Sequence, residues 1–254
     1  MLFRSIAMGS RGTDVAREAA ALVLVRDDFG SIVDGIRMGR RIYANIRKAM
    51  CYLIAVHVPI AGMTFIPLLL GEPQFLFPVH VVFFQFVIDP ACTLVFEQED
   101  EDTDVMNRPP RDARVPLFNT GLFMDSLMMG LAALAAVWLA YRATLYMGET
   151  ESVARAAAFA AIVVANLAMI FVSRHAVQTT GPGARRYHNK ALYWITGLVL
   201  PALALCLYVP ALTGLFRFAP PGAAVLLLAV GAGAGGIAAF HYARTWWVRR
   251  QVNS

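Results

Sequence analysis

Charge is scarce in this chain. Of 254 residues only 15% are Asp, Glu, Lys or Arg, against about a quarter in ordinary soluble domains, while 58% are hydrophobic and mean hydropathy is +0.58. That composition excludes an ordinary soluble domain and indicates a membrane protein. Cysteine is equally sparse. Cys51, Cys92 and Cys206 stand singly in apolar stretches, an odd count without metal-ligand spacing, so they read as small core residues. The opening Met1-Leu2-Phe3-Arg4 leads into polar sequence with no apolar stretch and no cleavage site, so no signal peptide is expected. There is no phosphate-cradling loop, no Ser/His/Asp arrangement and no paired Cys/His motif. Basic residues outnumber acidic ones, 22 to 17. They flank apolar segments instead of lining a polar face, which points to membrane topology and away from nucleic acid.

What is present is a series of apolar runs. A bilayer core takes roughly twenty apolar residues per helix, and six stretches qualify: 49–70, 74–96, 118–141, 153–173, 191–213 and 219–242. Gly71-Glu72-Pro73 predicts a tight turn between the first two. One set of flanks carries Arg40, Arg41, Arg47, Lys48, Arg108, Arg111, Arg114, Arg174, Arg185, Arg186, Lys190, Arg244, Arg249 and Arg250, and the other only Arg142, Arg155 and Arg217. Positive loops stay on the cytoplasmic side, so both termini are expected there.

Before the first run lies sequence of a different texture. Asp14, Arg17, Glu18, Arg26, Asp27 and Asp28 alternate with short apolar runs such as 21–24, as at the edge of a soluble α/β domain. From Phe29 to Lys48 a helical pattern without proline predicts a stalk helix entering the membrane directly. The acidic run from Glu97 to Asp104 lacks the central Gly and terminal Glu of a calcium loop and reads as a solvated, proline-broken connection. The small-residue run 231–236 predicts close helix packing.

Asp89 is the residue most in need of explanation. An ionisable group inside a span costs several kcal/mol unless it meets a partner, water or a cation, and Pro90 directly follows it. The proline removes a backbone donor, so the helix is expected to unwind nearby and free carbonyl oxygens. Oxygens beside a carboxylate suit a hard cation, and broken helices at mid-membrane ion sites recur in transporters. A structural Asp, protonated or ion-paired, is the alternative. Gln85 lies one turn earlier on the same face. His57 and Pro59 repeat the pairing of a polar group with a helix break, His57 being either a ligand or proton carrier, or a structural donor. Asn166 is a further candidate ligand, with interhelical hydrogen bonding as its alternative. Asp125 is assigned no role.

These segments have a familiar counterpart. AMGSRGTDVARE (Ala7 to Glu18) and DDFGSIVDGIRMGRRIYANIRKAM (Asp27 to Met50) resemble P-type cation-transporting ATPases where the phosphorylation domain ends and the fifth membrane helix begins. IDPACTLVFE (Ile88 to Glu97) and DVMNRPPR (Asp104 to Arg111) resemble the sixth helix and the loop after it. The match runs motif by motif over roughly the first 116 residues, and beyond them by the number, spacing and polarity of the helices. The resemblance implies an all-α bundle of six transmembrane helices (48–254), preceded by a short remnant of the α/β phosphorylation domain with its stalk helix (1–47). It makes Asp89 a cation ligand, with Gln85 supplying a side-chain oxygen. Departures are visible: Ile60 stands where calcium pumps carry a second carboxylate, His57 where they have an asparagine, Asn166 where they have a glutamate, and Ala21 where an acidic residue is usual.

The sequence contains no Asp-Lys-Thr-Gly-Thr phosphorylation motif, no nucleotide-binding domain, no Thr-Gly-Glu, no Gly-Asp-Gly segment and no counterpart of the first four membrane helices. The chain alone is therefore not expected to hydrolyse ATP. ATP and Mg2+ belong to the complete pump, and no cofactor is expected in this chain. Expected partners are the bilayer, a transported cation whose identity the residues leave open, and the N-terminal pump portion. Two other functions stay open: a non-enzymatic membrane module or regulator of a separate pump, and a small ATP-independent cation channel or carrier.

Overall fold

A computed structural model describes residues 5–101, 104–110, 116–117, 119–175 and 189–252. The chain forms two compact units, one of residues 1–44 with 101–110, the other of residues 45–100 with 111–254.

In the first unit, strands β1 (Ile6–Met8) and β2 (Leu22–Leu24) run parallel, with Ile6 opposite Leu22 and Met8 opposite Leu24. Helix α1 (Asp14–Ala19) connects them, its N-terminus capped by the Thr13 hydroxyl, which accepts from the Ala16 amide at 3.2 Å. Asp27 has a φ of 53°, a left-handed conformation that Asp tolerates. Its carboxylate accepts from the amides of Ser10 and Arg11, both at 2.9 Å, and so joins the turns that follow the two strands. Helix α2 (Gly30–Leu69) contributes residues 30–44 here. Arg40 in that part donates to the carbonyls of Val105 and Arg108 at 2.6 and 2.8 Å.

The second unit holds the rest of α2, then α3 (Pro78–Pro90), a π-helical segment (Ala91–Phe96), α4 (Thr120–Tyr146), α5 (Glu151–His175), α6 (Lys190–Tyr208), α7 (Pro210–Phe216) and α8 (Ala223–Val252). Among the described residues, five helices (α2, α4, α5, α6 and α8) are long and apolar enough to cross a membrane. The chain is a multi-pass, predominantly helical membrane protein. The run predicted as one span over 74–96 is divided into an irregular stretch 72–77, the 13-residue α3 and the six-residue π-helical segment. The predicted tight turn at 71–73 is correspondingly longer. α2 stops where Gly71 takes a φ of +70°, with the Glu72 amide donating back to the Pro67 carbonyl at 2.8 Å.

α5 is the centre of this unit. Its alanines 154, 156–158, 160, 161 and 165 are all fully buried, because small side chains let neighbouring backbones approach without loss of contact. α8 uses that proximity. A Cβ on Gly233 would come within 2.5 Å of the Ala161 carbonyl oxygen, and one on Gly236 within 2.6 Å of Ala136 in α4. Close packing predicted for 231–236 is therefore realised at those two positions, while Gly231 and Gly235 face open space. Cys51 and Cys206 are free thiols.

Candidate functional site

The two prolines beside the candidate polar residues behave differently. α2 continues unbroken through Pro59, against the expected helix break at His57–Pro59. Pro59 brings no amide to the Ala55 carbonyl one turn before it, and α4 meets that oxygen instead: a Cβ on Gly130 would stand 2.7 Å from it. The freed carbonyl thus faces a glycine of the neighbouring helix. At Pro90 the backbone does change. α3 ends there and the chain widens into the π-helical segment, a form that recurs at functional sites.

Contacts at two levels fix how these segments lie. Phe84 of α3 packs on Phe159 of α5 with ring centroids 5.0 Å apart, and Glu99 pairs with Arg174 at the end of α5 at 2.6 Å. Both pairs are separated by 75 positions, so the segment 84–99 and α5 run parallel in one register. That register sets Asn166 level with residues 90–92. α2 runs the opposite way, with Asn45 donating to the Glu99 carbonyl at 2.8 Å and Tyr52 packing on Phe96 at 5.5 Å. Continued along both segments, this pairing brings residues 55–59 of α2, His57 among them, to the depth of Asp89. Gln85 lies one turn further along α3.

Depth is shared, but surroundings differ. Asn166 is fully buried, and neither its amide oxygen nor its nitrogen has a hydrogen-bond partner. Such a group costs about 1–3 kcal/mol unless something else meets it. His57 is exposed, its Nδ1 engaged at 2.7 Å with the Leu53 carbonyl of its own helix, and Gln85 is exposed too. The backbone of Asp89 belongs to α3, while its side chain lies outside the described residues. No hydrogen bond joins any two of His57, Gln85 and Asn166, and among the described residues no group of three His, Cys, Asp or Glu side chains is placed to hold a metal ion.

Two polar centres escape a reading of the sequence alone. Glu99, in the run predicted to be solvated, is only 2% exposed and accepts hydrogen bonds from Arg174 and Asn189. Its partners lie 75 and 90 positions away, beyond any local pattern. His80 is likewise fully buried. Its Nδ1 accepts from the Phe77 amide at 3.0 Å, which leaves the proton on Nε2 to be donated to the Phe216 carbonyl at 2.9 Å. The ring is stacked on Phe218 and edged by Phe159 and Phe216. Asp125 is paired with Arg244 at 2.6 Å, joining α4 to α8.

Fold and site together define a multi-pass α-helical membrane domain with polar groups brought to one depth in neighbouring helices. The family model described as "Cation transporting ATPase, C-terminus" matches residues 73–246, and the chain belongs to that family. It is similar to the calcium-transporting ATPase of Bacillus subtilis (strain 168), 33% identical over 219 residues, covering 84% of this chain and 24% of the relative. A calcium-transporting ATPase of Listeria monocytogenes is 31% identical over 223 residues, covering 84% and 25%. Calcium-transporting ATPase 1 of Bacillus cereus is 36% identical over 149 residues, covering 58% and 17%. The chain thus spans about a quarter or less of the length of these relatives. The resemblance to P-type cation pumps read from the N-terminal motifs holds, and the chain corresponds to their C-terminal membrane domain.

Proposed function

We propose that this chain supplies ion ligands to an ATP-driven cation pump, with Asp89 as the charged ligand and Gln85, His57 and Asn166 as its helpers. The observation that carries this reading is Asn166: a fully buried amide without a partner, level with the turn where α3 gives way to a π-helix. An amide oxygen and a carboxylate at one depth suit a hard cation. His57 and Gln85 complete the site from the exposed face of α2 and α3. Polar groups inside spans face protein or water, not lipid, so that face is covered in the working pump by its N-terminal membrane helices.

The same reading makes α3 with its π-helical extension a sixth span, shorter than the rest, and puts both termini on the cytoplasmic side of the plasma membrane. Residues 1–47 are then the edge of the phosphorylation domain with its stalk, and residues 48–254 the transporting domain. ATP and Mg2+ act in the N-terminal portion.

A chimera tests this. The chain replaces the region it matches in the Bacillus subtilis calcium-transporting ATPase, and calcium-stimulated ATP hydrolysis is measured. Asp89→Asn is expected to weaken calcium dependence on the order of a hundredfold, because ligand charge sets affinity. Unchanged calcium dependence in Asp89→Asn would remove Asp89 from the site.

A further inference from the structure

Several helices of the membrane unit meet around Glu99. Arg174 grips its carboxylate with a fork, Nε to Oε2 at 2.6 Å and Nη2 to Oε1 at 3.1 Å. Asn189 donates to Oε2 at 2.9 Å, and the Glu99 carbonyl accepts from Asn45 of α2 at 2.8 Å. Asn189 has two further tasks. Its Nδ2 also donates to the Val95 carbonyl, inside the π-helical segment, at 2.9 Å, while its Oδ1 caps α6 through the Ala191 amide at 3.0 Å. Glu99, Arg174, Asn189 and Asn45 are 2%, 7%, 8% and 5% exposed, so the network is sealed from solvent.

A buried ion pair is a poor source of stability, because desolvation of two charges offsets most of their attraction. What a forked guanidinium–carboxylate pair does supply is direction and distance. Here those constraints act on a particular segment. The chain from Ala91 to Phe96 leaves the α-helical pattern, and the Phe84–Phe159 contact at its far side is a ring packing that tolerates sliding. Glu99 with Arg174, and Asn189 with Val95, are the directional bonds that hold it. A slip of one residue moves a helix by about 1.5 Å, enough to carry Asn166 off the level of Asp89.

We propose that Glu99 is the positioning residue of the cation site: through Arg174 and Asn189 it locks the π-helical turn after Asp89 in register with α5. This role rests on the site reading above.

The test uses the chimeric pump described above in lipid nanodiscs, with hydrogen exchange followed by mass spectrometry and equilibrium binding of 45Ca2+ as readouts. Glu99→Gln and Asn189→Ala are each expected to raise exchange in residues 91–97 about tenfold, and to weaken calcium binding about tenfold at unchanged stoichiometry. Exchange in residues 153–170 stays as in the unaltered chimera. The paired change Glu99→Met with Arg174→Met strands no charge and keeps the fold, and it is expected to give the same two effects. Unaltered exchange in 91–97 overturns the role, as does loosened exchange with unaltered calcium affinity. If the unaltered chimera retains no calcium, the site reading falls and this role with it. Calcium binding that depends on Asp89 but ignores Glu99 overturns this role alone.

Discussion

Asn166 and His80 show how differently two polar residues can sit inside apolar helices. His80 has both ring nitrogens engaged, and its ring is enclosed by Phe159, Phe216 and Phe218, so it serves packing. His80→Ala removes two hydrogen bonds and the ring together, and a loss of about 3 kcal/mol is expected in detergent unfolding. Asn166 is the opposite case, with no partner for either amide atom. Asn166→Leu is expected to raise unfolding stability by about 1 kcal/mol, since it removes an unmet polar burial, and at the same time to weaken 45Ca2+ binding. A variant that loses stability without losing calcium would make the amide structural. Asn166 was legible in the sequence as a polar residue in an apolar run. Its lack of a partner was not, because satisfaction depends on neighbouring helices. Glu99 was misread for the same reason: within an acidic run it looks solvated, and only the end of α5 reveals its Arg174 partner.

At the scale of elements, apolar run length located the long helices, and the proline rule was half right. At Pro90 α3 ends, but the chain stays helical in the π form instead of unwinding as expected. Pro59 leaves α2 intact, and Gly130 of α4 lies against the carbonyl that the proline frees. Glycine placement also decides the α5–α8 contact. Gly233→Leu would drive a side chain into the Ala161 carbonyl region and is expected to cost about 1–3 kcal/mol in detergent unfolding. Gly231→Leu, with nothing within 4 Å of its Cβ position, is expected to leave stability unchanged and serves as the control.

Across the whole molecule, basic residues are shared unevenly between the two sets of flanks. Only Arg142, Arg155 and Arg217 depart from the basic bias of the opposite flanks, and each has a local partner. Arg142 pairs with Glu72 at 2.6 Å, Arg155 donates to the Arg217 carbonyl at 2.9 Å, and Arg217 lies 4.5 Å from the Phe77 ring centroid. Those three cations make contacts near the ends of helices. The six-run pattern and the P-type motifs were legible in sequence because bilayer thickness and backbone chemistry write themselves locally. The common depth of His57, Asp89 and Asn166 was not, since it depends on the registers of α2 and α5 against the segment between them. That shared depth is the basis for proposing a cation at Asp89, and a calcium-induced infrared difference spectrum of the chimeric pump in nanodiscs tests it most directly. A carboxylate stretching band that shifts on calcium addition and vanishes in Asp89→Asn is expected. An identical difference spectrum in the two proteins would contradict it.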